Sequence, residues 1–151
     1  MSPLPDIRRG QPADLPHALK LLQGAGLPTA DLHTAARLQI WVLEAKSGVA
    51  GVIALERFGT EGLLRSLVVA PEYRKQGFGF ELVARLEQDA RSEGVRQLVL
   101  LTETAQEFFC RLDYQVIDRH SVSEELRQSA EFRSLCPVSA ICMSKVLDQS
   151  S

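Results

Sequence analysis

Two stretches of the chain carry apolar residues at the spacing of an amphipathic helix. The first begins at Asp14 and ends at the glycines 24 and 26, with apolar positions at Leu15, Ala18, Leu21 and Leu22. The second begins at Gly79 and ends at Gly94, with apolar positions at Leu82, Val83, Leu86 and Ala90. Its other face carries oppositely charged pairs four residues apart, which stabilise an exposed helical surface. We therefore expect two helices that each bury one face.

Short apolar runs around these helices predict β-strands. The predicted strands cover residues 7–9, 40–45, 49–58, 63–70, 97–101, 114–117 and 140–147. Turn signals at Ser47-Gly48 and over residues 59–62 separate three of these strands, and the first turn predicts an antiparallel hairpin. Further helical segments are expected at 32–38, at 104–112 and within the polar stretch 121–135. This order predicts an α/β (α+β) fold with a mixed sheet and helices on both faces.

The composition fits one domain over residues 1–151 and excludes several classes of partner. Hydrophobic residues make up 45% of the 151 positions, which is enough for one core. The 17 basic and 19 acidic residues are spread along the chain and leave a formal net charge of -2, so no surface for nucleic acid is expected. No stretch has the apolar length of a signal peptide or a membrane span. We expect a cytoplasmic protein without a membrane partner.

The cysteines and histidines do not predict a metal site. Cys110, Cys136 and Cys142 are odd in number and lack paired CxxC spacing, which argues against a disulfide framework and against a thiolate zinc site. The histidines are isolated from one another in the sequence. Reduced, mostly buried thiols are the simplest interpretation.

The segment 74–79, Arg-Lys-Gln-Gly-Phe-Gly, lies between an apolar strand and the second amphipathic helix. The start of a helix presents unpaired N–H groups and the positive end of its dipole, which together bind phosphate. Gly77 and Gly79 remove side chains so that a pyrophosphate can approach the backbone, while Arg74 and Lys75 add positive charge. The segment therefore predicts a phosphate-binding loop.

Two other kinds of phosphate loop do not fit this segment. A Walker loop needs Lys and then Ser or Thr directly after its last glycine, whereas Phe80 and Glu81 follow Gly79. A dinucleotide fingerprint needs a small residue three positions beyond Gly79, where Leu82 stands. A solvated turn with a basic flank remains as the alternative without function.

The segment 63–87, LLRSLVVAPEYRKQGFGFELVARLE, resembles the acetyl-CoA motif of the GNAT superfamily. The superfamily pattern is Arg or Gln, two residues, Gly, one residue, then Gly or Ala, and it matches at Arg74, Gly77 and Gly79. The likeness extends over the strands from residue 40 and over 105–116, AQEFFCRLDYQV. Two further segments, GLPTADL at 26–32 and FRSLCPVSAICMSK at 132–145, look like the small GNAT enzymes of arsenic-resistance operons. The named activities of that subgroup concern N-acetylation of amino-acid-like toxins.

The resemblance implies a GNAT-like acyl-CoA N-acyltransferase fold, with a mostly antiparallel mixed sheet, that binds acetyl-CoA as co-substrate and uses no metal. In the superfamily, pantetheine lies between the two central strands, and the pyrophosphate lies on the N–H groups of the loop. The cofactor-binding residues implied here are Leu67, Val68, Val69, Arg74, Lys75, Gln76, Gly77, Phe78, Gly79, Phe80 and Phe109.

The resemblance also implies direct attack of an amine on the thioester. A strand N–H, from Leu67 or Val69, would stabilise the developing oxyanion. Glu56 is the candidate base, acting directly or through water, with an exposed strand-end carboxylate as the alternative. Arg65, beside Ser66, is expected to clamp an anionic group of the acceptor, with an ordinary salt bridge within the sheet as the alternative.

One residue departs from the superfamily pattern. Many relatives carry Tyr in the later helix to protonate the leaving thiolate, and Phe109 stands at that position. Tyr114 is too far along the chain to take the role, and Cys110 is expected to point elsewhere. Burial of Cys136 and Cys142 is expected over arsenic binding.

Two functions therefore compete. The first is an N-acetyltransferase for a small amine, such as an amino acid or an amino-acid-like arsenical or phosphinic toxin. The second is a non-catalytic acetyl-CoA sensor or interaction module. The missing Tyr favours the sensor, whereas Glu56 and Arg65 favour the enzyme. A homodimer is compatible with both.

Overall fold

The computed structural model describes residues 5–25, 38–129, 132 and 140–147. The strands in these residues are β1 (Asp6–Arg9), β2 (Leu38–Ala45), β3 (Gly48–Phe58), β4 (Glu61–Val69), β5 (Gln97–Thr102), β6 (Gln115–Ile117) and β7 (Ile141–Val146). The α-helices are α1 (Leu15–Gly24), α2 (Phe78–Ser92), α3 (Gln106–Cys110) and α4 (Glu124–Arg127). Short 3-10 turns lie at Pro12–Asp14, Pro71–Tyr73 and Arg119–Ser121.

The strands form one mixed sheet in the order β1-β2-β3-β4-β5-β7-β6. Neighbouring strands are antiparallel except β4 and β5, which run parallel. The predicted mixed, mostly antiparallel sheet is therefore confirmed. The last strand, β7, lies between β5 and β6.

Helices α1 and α2 lie on opposite faces of this sheet, as the sequence predicts. Trp41 and the next residue of β2, Val42, point to different faces because side chains alternate along a strand. Trp41 packs in a cluster with Leu86 of α2, and Val42 packs in another with Leu22 of α1. Each amphipathic helix thus covers its own half of the core.

Polar contacts fix α2 against the first two strands. The Trp41 Nε1 donates to the Asp89 Oδ2 at 2.7 Å. Near the end of the helix, the Arg9 Nη2 donates to the Glu93 Oε2 at 2.8 Å. Because α2 also begins at the predicted phosphate loop, these contacts hold that loop in a fixed relation to the sheet.

Several predicted boundaries were wrong by a few residues. Leu38 begins β2 rather than ending a helix, and the rest of the helix predicted at 32–38 lies outside the described residues. Gly62 lies inside β4 and not in the preceding turn. An added Cβ would come 2.5 Å from the Leu55 Cδ1, so close packing within the sheet, and not a turn, accounts for this glycine. Helix α3 is shorter than the predicted 104–112. In the polar stretch 121–135, the described helix is α4, and residues 130, 131 and 133–135 are outside the described part.

Among the helices of the described residues, none combines the length and the apolar character needed to cross a membrane.

Candidate active site

The first turn of α2 forms an open cradle of main-chain amides. Its N-cap residue, Gly77, has a φ of 86°, which is the left-handed conformation that favours glycine, and Lys75 adopts a φ of 64°. Among the residues that the structure describes, no side chain caps this end of the helix. Within the described residues, the first amide of this turn with a main-chain acceptor is that of Glu81, which donates to the Gly77 oxygen at 3.1 Å. The amides of residues 78–80 are therefore available to an anion.

The two loop glycines differ in how strictly the structure requires them. A Cβ added at Gly77 would meet no atom within 4 Å, so glycine is required there by its backbone angle and not by lack of space. A Cβ added at Gly79 would lie 3.4 Å from the Phe108 Cζ. This distance is about that of an ordinary van der Waals contact, so neither lack of space nor a backbone angle strictly requires glycine at this position.

Both basic residues of the loop are exposed, and a hydrogen bond within the described part of the chain holds Arg74. The Arg74 Nε donates to the Val69 carbonyl oxygen at 2.8 Å, which ties the loop to the end of β4. Lys75 is exposed and carries its charge beside the cradle. The predicted loop 74–79, together with the turn at Pro71–Tyr73, thus joins β4 to α2.

A cleft opens where β4 and β5 separate. These parallel strands pair only over three positions, Glu61 to Leu63 with Gln97 to Val99. Beyond Leu63, the edge of β4 that faces β5 has no strand partner in the described part of the chain. The cleft measures about 170 Å³ and is lined by Leu64, Arg65, Ser66, Leu67, Leu100, Leu101, Thr102, Thr104, Ala105 and Phe109. Main-chain groups on this open edge are available to an extended, amide-containing ligand.

A β-bulge in β4 turns side chains and main-chain groups into this cleft. The register with β3 shifts between Val52 and Ala54, whose partners are Val68 and Arg65. Ser66 has a φ of 64°, a left-handed conformation that is uncommon outside glycine. Leu67 and Val69 pack against the α2 side of the sheet, whereas Val68 packs against the α1 side. The bulge thus interrupts the ladder at the predicted oxyanion and acceptor residues.

The orientation of Val69 follows from its neighbour. The Ala70 N–H donates to the Ala50 oxygen of the β3 side at 2.7 Å. Because main-chain groups alternate between the two edges of a strand, the Val69 N–H and carbonyl face the β5 side. The Arg74 bond to the Val69 oxygen agrees with this orientation.

Glu56 and Arg65, the predicted base and the predicted acceptor clamp, form an ion pair. The Arg65 Nη1 donates to the Glu56 Oε1 at 3.2 Å. The Arg65 side chain has 0% of its surface exposed, and the Glu56 side chain has 13%. The structure thus pairs two groups that the sequence analysis treated separately. The alternative given for Arg65, a salt bridge within the sheet, is present.

Phe109 forms a wall of the cleft and presents no hydroxyl group there. It is buried, with 5% exposure, and it packs edge-on against Tyr114. The Tyr114 hydroxyl donates to the Glu87 Oε2 at 2.8 Å, and burial raises the pKa of this phenol well above its usual range. Tyr114 is therefore committed to a partner outside the cleft.

The sequence analysis missed Thr102, which ends β5 at the cleft. Its Oγ1 accepts a hydrogen bond from the Ala105 N–H at 2.9 Å, so the hydroxyl proton remains free to donate. Thr104 also lines the cleft. The available signal was the position of the Thr-Glu-Thr segment between a buried strand and the helix that carries Phe109.

The described cysteines lie away from this chemistry. Cys110 is exposed on α3, and Cys142 is buried in β7, where desolvation raises the pKa of its thiol to about 11. Cys136 lies outside the described residues. No group of three or more His, Cys, Asp or Glu side chains suited to a metal ion occurs in the described part of the chain.

Comparison with known proteins identifies the family that this chain matches. Residues 36–116, more than half of the chain, match the family described as Acetyltransferase (GNAT) domain. The amino-acid acetyltransferase of Neisseria meningitidis serogroup A is 25% identical over 136 residues, which cover 85% of this chain and 31% of that protein. The chain thus spans about a third of the length of the curated relatives it matches.

Solved structures show the same fold. N-acetylglutamate synthase from Neisseria gonorrhoeae, complexed with coenzyme A and N-acetyl-glutamate, superposes with a TM-score of 0.81 at 21% identity, over 99% of this chain and 36% of that one. Rv2747 from Mycobacterium tuberculosis, in complex with CoA and NLQ, superposes with a TM-score of 0.78 at 26% identity, over 94% of this chain and 99% of that one. The family match and the shared fold together show that this chain belongs to the GNAT acetyltransferase family.

Proposed function

We propose that this chain transfers the acetyl group of acetyl-CoA to the amine of a small, amino-acid-like acceptor. The observation that carries the proposal is the continuity of two unfilled main-chain surfaces. The open edge of β4 leads through the turn at Pro71–Tyr73 directly into the uncapped start of α2. An extended amide chain ending in a diphosphate matches this sequence of sites.

The loop and the bulged strand would hold the cofactor in two ways. The amides from Gln76 to Phe80 would donate to the pyrophosphate, with Arg74 and Lys75 adding positive charge. The main-chain groups of Leu67 and Val69 would bond the pantetheine amides on the open edge of β4, with Val68 between them. Phe109 would pack against the thioester end. Acetyl-CoA supplies an activated acyl group, so the protein itself needs no covalent nucleophile.

The chain's own residues would then stabilise charge and move one proton. A strand N–H at the bulge, from Leu67 or Val69, would donate to the carbonyl oxygen as negative charge develops on it. Glu56 would accept the proton of the attacking amine, directly or through water, on the Oε2 that its bond to Arg65 leaves available. The Thr102 hydroxyl, which lines the cleft, would donate a hydrogen bond to the departing sulfur in place of a tyrosine.

The proposed acceptor class rests on charge and on the relatives. Arg65 places a buried positive charge beneath the cleft, and Ser66 adds a hydroxyl on the bulge, a pair suited to an anionic group of the acceptor. The relatives are named as an amino-acid acetyltransferase and an N-acetylglutamate synthase. An amino acid, or an arsenical or phosphinic amino-acid analogue, combines an amine with such an anionic group.

A thiol-release assay with acetyl-CoA and a panel of amino acids and phosphinic amino-acid analogues tests the proposal. We expect acceptor-dependent release of thiol, which Glu56→Gln reduces and which is absent without acceptor. A sensor is the second candidate, favoured by the Phe109 wall, which offers no hydroxyl. Tight binding of acetyl-CoA in calorimetry, together with no turnover on any acceptor, would favour the sensor.

A further inference from the structure

A polar trio lies between α2 and β7, behind the wall of the cleft. The Tyr114 hydroxyl donates to the Glu87 Oε2 at 2.8 Å. From β7, the Lys145 Nζ donates to the two oxygens of the same carboxylate at 3.0 and 3.2 Å. The Lys145 Nζ also lies 5.6 Å from the centre of the Tyr114 ring. The trio is thus hydrogen-bonded and charge-compensated within the fold, and the proposed reaction does not use it.

An aromatic row connects this trio to the start of α2. The ring centres of Phe80 and Phe108 are 4.8 Å apart, those of Phe108 and Phe109 are 5.0 Å apart, and those of Phe109 and Tyr114 are 5.3 Å apart. Phe80 and Glu87 are seven residues apart on α2, about two helical turns, and therefore lie on the same face. The segment from Phe108 to Tyr114 is fastened at both ends to this one face of α2.

Helix α3 needs such support because it is short. It contains five residues, fewer than an isolated helix needs to persist in water. Its own ends are held by local bonds, from the Phe109 N–H to the Ala105 oxygen at 3.1 Å and from the Tyr114 N–H to the Phe109 oxygen at 3.0 Å. Packing against α2 must therefore fix its orientation, and with it the position of Phe109 in the cleft.

The chemistry of the trio is better suited to orienting the Tyr114 ring than to stabilising the fold. A buried carboxylate with a charged partner is commonly no more stabilising than apolar residues of the same size. A hydrogen bond to a carboxylate, however, has a preferred length and direction, which an apolar contact lacks. Replacing the trio with apolar residues would keep the core filled but would release the orientation of the Tyr114 ring, on which Phe109 packs.

From these contacts we infer that Tyr114 is a positioning residue, held by Glu87 and Lys145, that sets Phe109 as the wall limiting the size of the transferred acyl group. This inference rests on the proposed function. Helix α2 would then support two sites. Its first turn forms the proposed phosphate cradle, and Glu87, two turns further on, holds Tyr114 and through it the Phe109 wall.

The substitution Tyr114→Phe keeps the ring and removes only the hydroxyl. The control is Trp41→Phe, which removes a hydrogen bond to another carboxylate of α2, that of Asp89, from a strand that does not line the cleft. Both proteins are assayed at a temperature at which each remains folded, with acetyl-, propionyl- and butyryl-CoA. We expect Tyr114→Phe to lower the ratio of kcat/KM for acetyl over butyryl by about fivefold, because looser walls discriminate less between methylenes. Trp41→Phe should leave this ratio unchanged.

Hydrogen exchange of the ligand-free protein gives a second measurement that needs no turnover. Tyr114→Phe should lower the protection of the Phe109, Leu112 and Tyr114 amides by about tenfold, the effect of losing a hydrogen bond to a charged group. Trp41→Phe should not single out these amides.

Equal acyl ratios in wild type and Tyr114→Phe, or the same change in both variants, would overturn the inference. If the wild type turns over no acyl-CoA, the proposed function fails instead, and exchange alone then decides whether Tyr114 holds α3. Unchanged protection in α3 would overturn that role as well.

Discussion

The Nη1 of Arg65 lies 3.2 Å from the Oε1 of Glu56, and the two residues are diagonal neighbours across β4 and β3. Arg65 pairs in register with Ala54, and Glu56 pairs with Leu63, so both side chains leave the same face of the sheet. The charge on Arg65 is enclosed by protein, whereas Glu56 retains some exposure. One contact thereby joins the proposed base to the proposed acceptor clamp.

Glu56→Gln should impair both stability and turnover. The amide preserves the shape of the side chain but removes one counter-charge from the enclosed Arg65, which should lower the free energy of unfolding by about 1–3 kcal/mol. Loss of the base should lower kcat by about 100-fold or more. Urea unfolding and the thiol assay measure the two effects. The control Glu44→Gln removes the more exposed pair with Arg8 and should cost under about 1 kcal/mol with kcat retained. A fully active Glu56→Gln protein would rule out Glu56 as the base.

Gly77→Val should abolish binding of CoA in a protein that remains folded. The new side chain has space but must adopt a φ of 86°, at a cost of about 1–2 kcal/mol, and relaxation of that angle would turn the cradle amides away. Gly94→Val imposes a similar strain, at a φ of 94°, beyond the other end of α2. Calorimetric titration with CoA should show binding lost only in the Gly77 variant. Retained binding would discredit the loop assignment.

Ser66→Val should destabilise the bulge, because a β-branched residue is strongly disfavoured at a φ of 64°. We expect a loss of about 2 kcal/mol in urea unfolding, within the range for strained backbone positions. Ser66→Gly accepts the angle and should stay within about 1 kcal/mol of the wild type. If valine is tolerated as well as glycine, the backbone at the bulge is not constrained as described.

Thr102→Val should slow the reaction without weakening CoA binding. The substitution keeps the branched shape and removes the hydroxyl group in the cleft, so kcat should fall by about tenfold or more if this group assists the leaving sulfur. It also removes the acceptor for the Ala105 N–H, at a cost of about 1 kcal/mol of stability. Thr104→Val, at the same cleft, is the control. Equal rates for the two variants would exclude a special role for Thr102.

Asp14 should contribute to stability above about pH 4 and lose that contribution in acid. The Arg8 guanidinium, which donates to both of its carboxylate oxygens, holds the pKa of Asp14 below its usual value. A carboxyl group whose pKa is lower in the folded than in the unfolded chain stabilises the fold when ionised, and protonation removes this effect. The difference in unfolding free energy between wild type and Asp14→Asn should therefore shrink as the pH falls from about 6 to about 2.5. A difference that is constant with pH would contradict this account.

The local pattern predicted most elements of the fold, because periodicity and turn residues act over a few positions. The helix from Leu82 to Ala90 and the hairpin at Ser47-Gly48 depend on such local signals, and both are present. The placement of β7 between β5 and β6 depends on contacts between distant segments, which no local pattern contains.

The sequence located candidate site residues along the chain but did not predict their contacts with one another. The glycine and basic residues of the loop indicated phosphate binding from sequence alone. The bulge at Ser66 was not foreseen, since it is a property of the register between two strands. The pairing of Glu56 with Arg65 depends on that same register, and the enclosure of Tyr114 by Glu87 and Lys145 brings together three separate elements.

The early separation of β4 from β5 has a consequence for how the protein can change. Where the strands part, the sheet has an open seam of unpaired peptide groups, and every amino acid except proline supplies both the N–H and the carbonyl of such a group. A ligand that completes the seam forms hydrogen bonds with peptide groups and not with side chains. The side chains of residues such as Leu67 and Val69 can therefore pack into the core. If the cofactor binds this edge as proposed, side chains along it can be substituted without loss of cofactor binding, provided that the course of the backbone is kept.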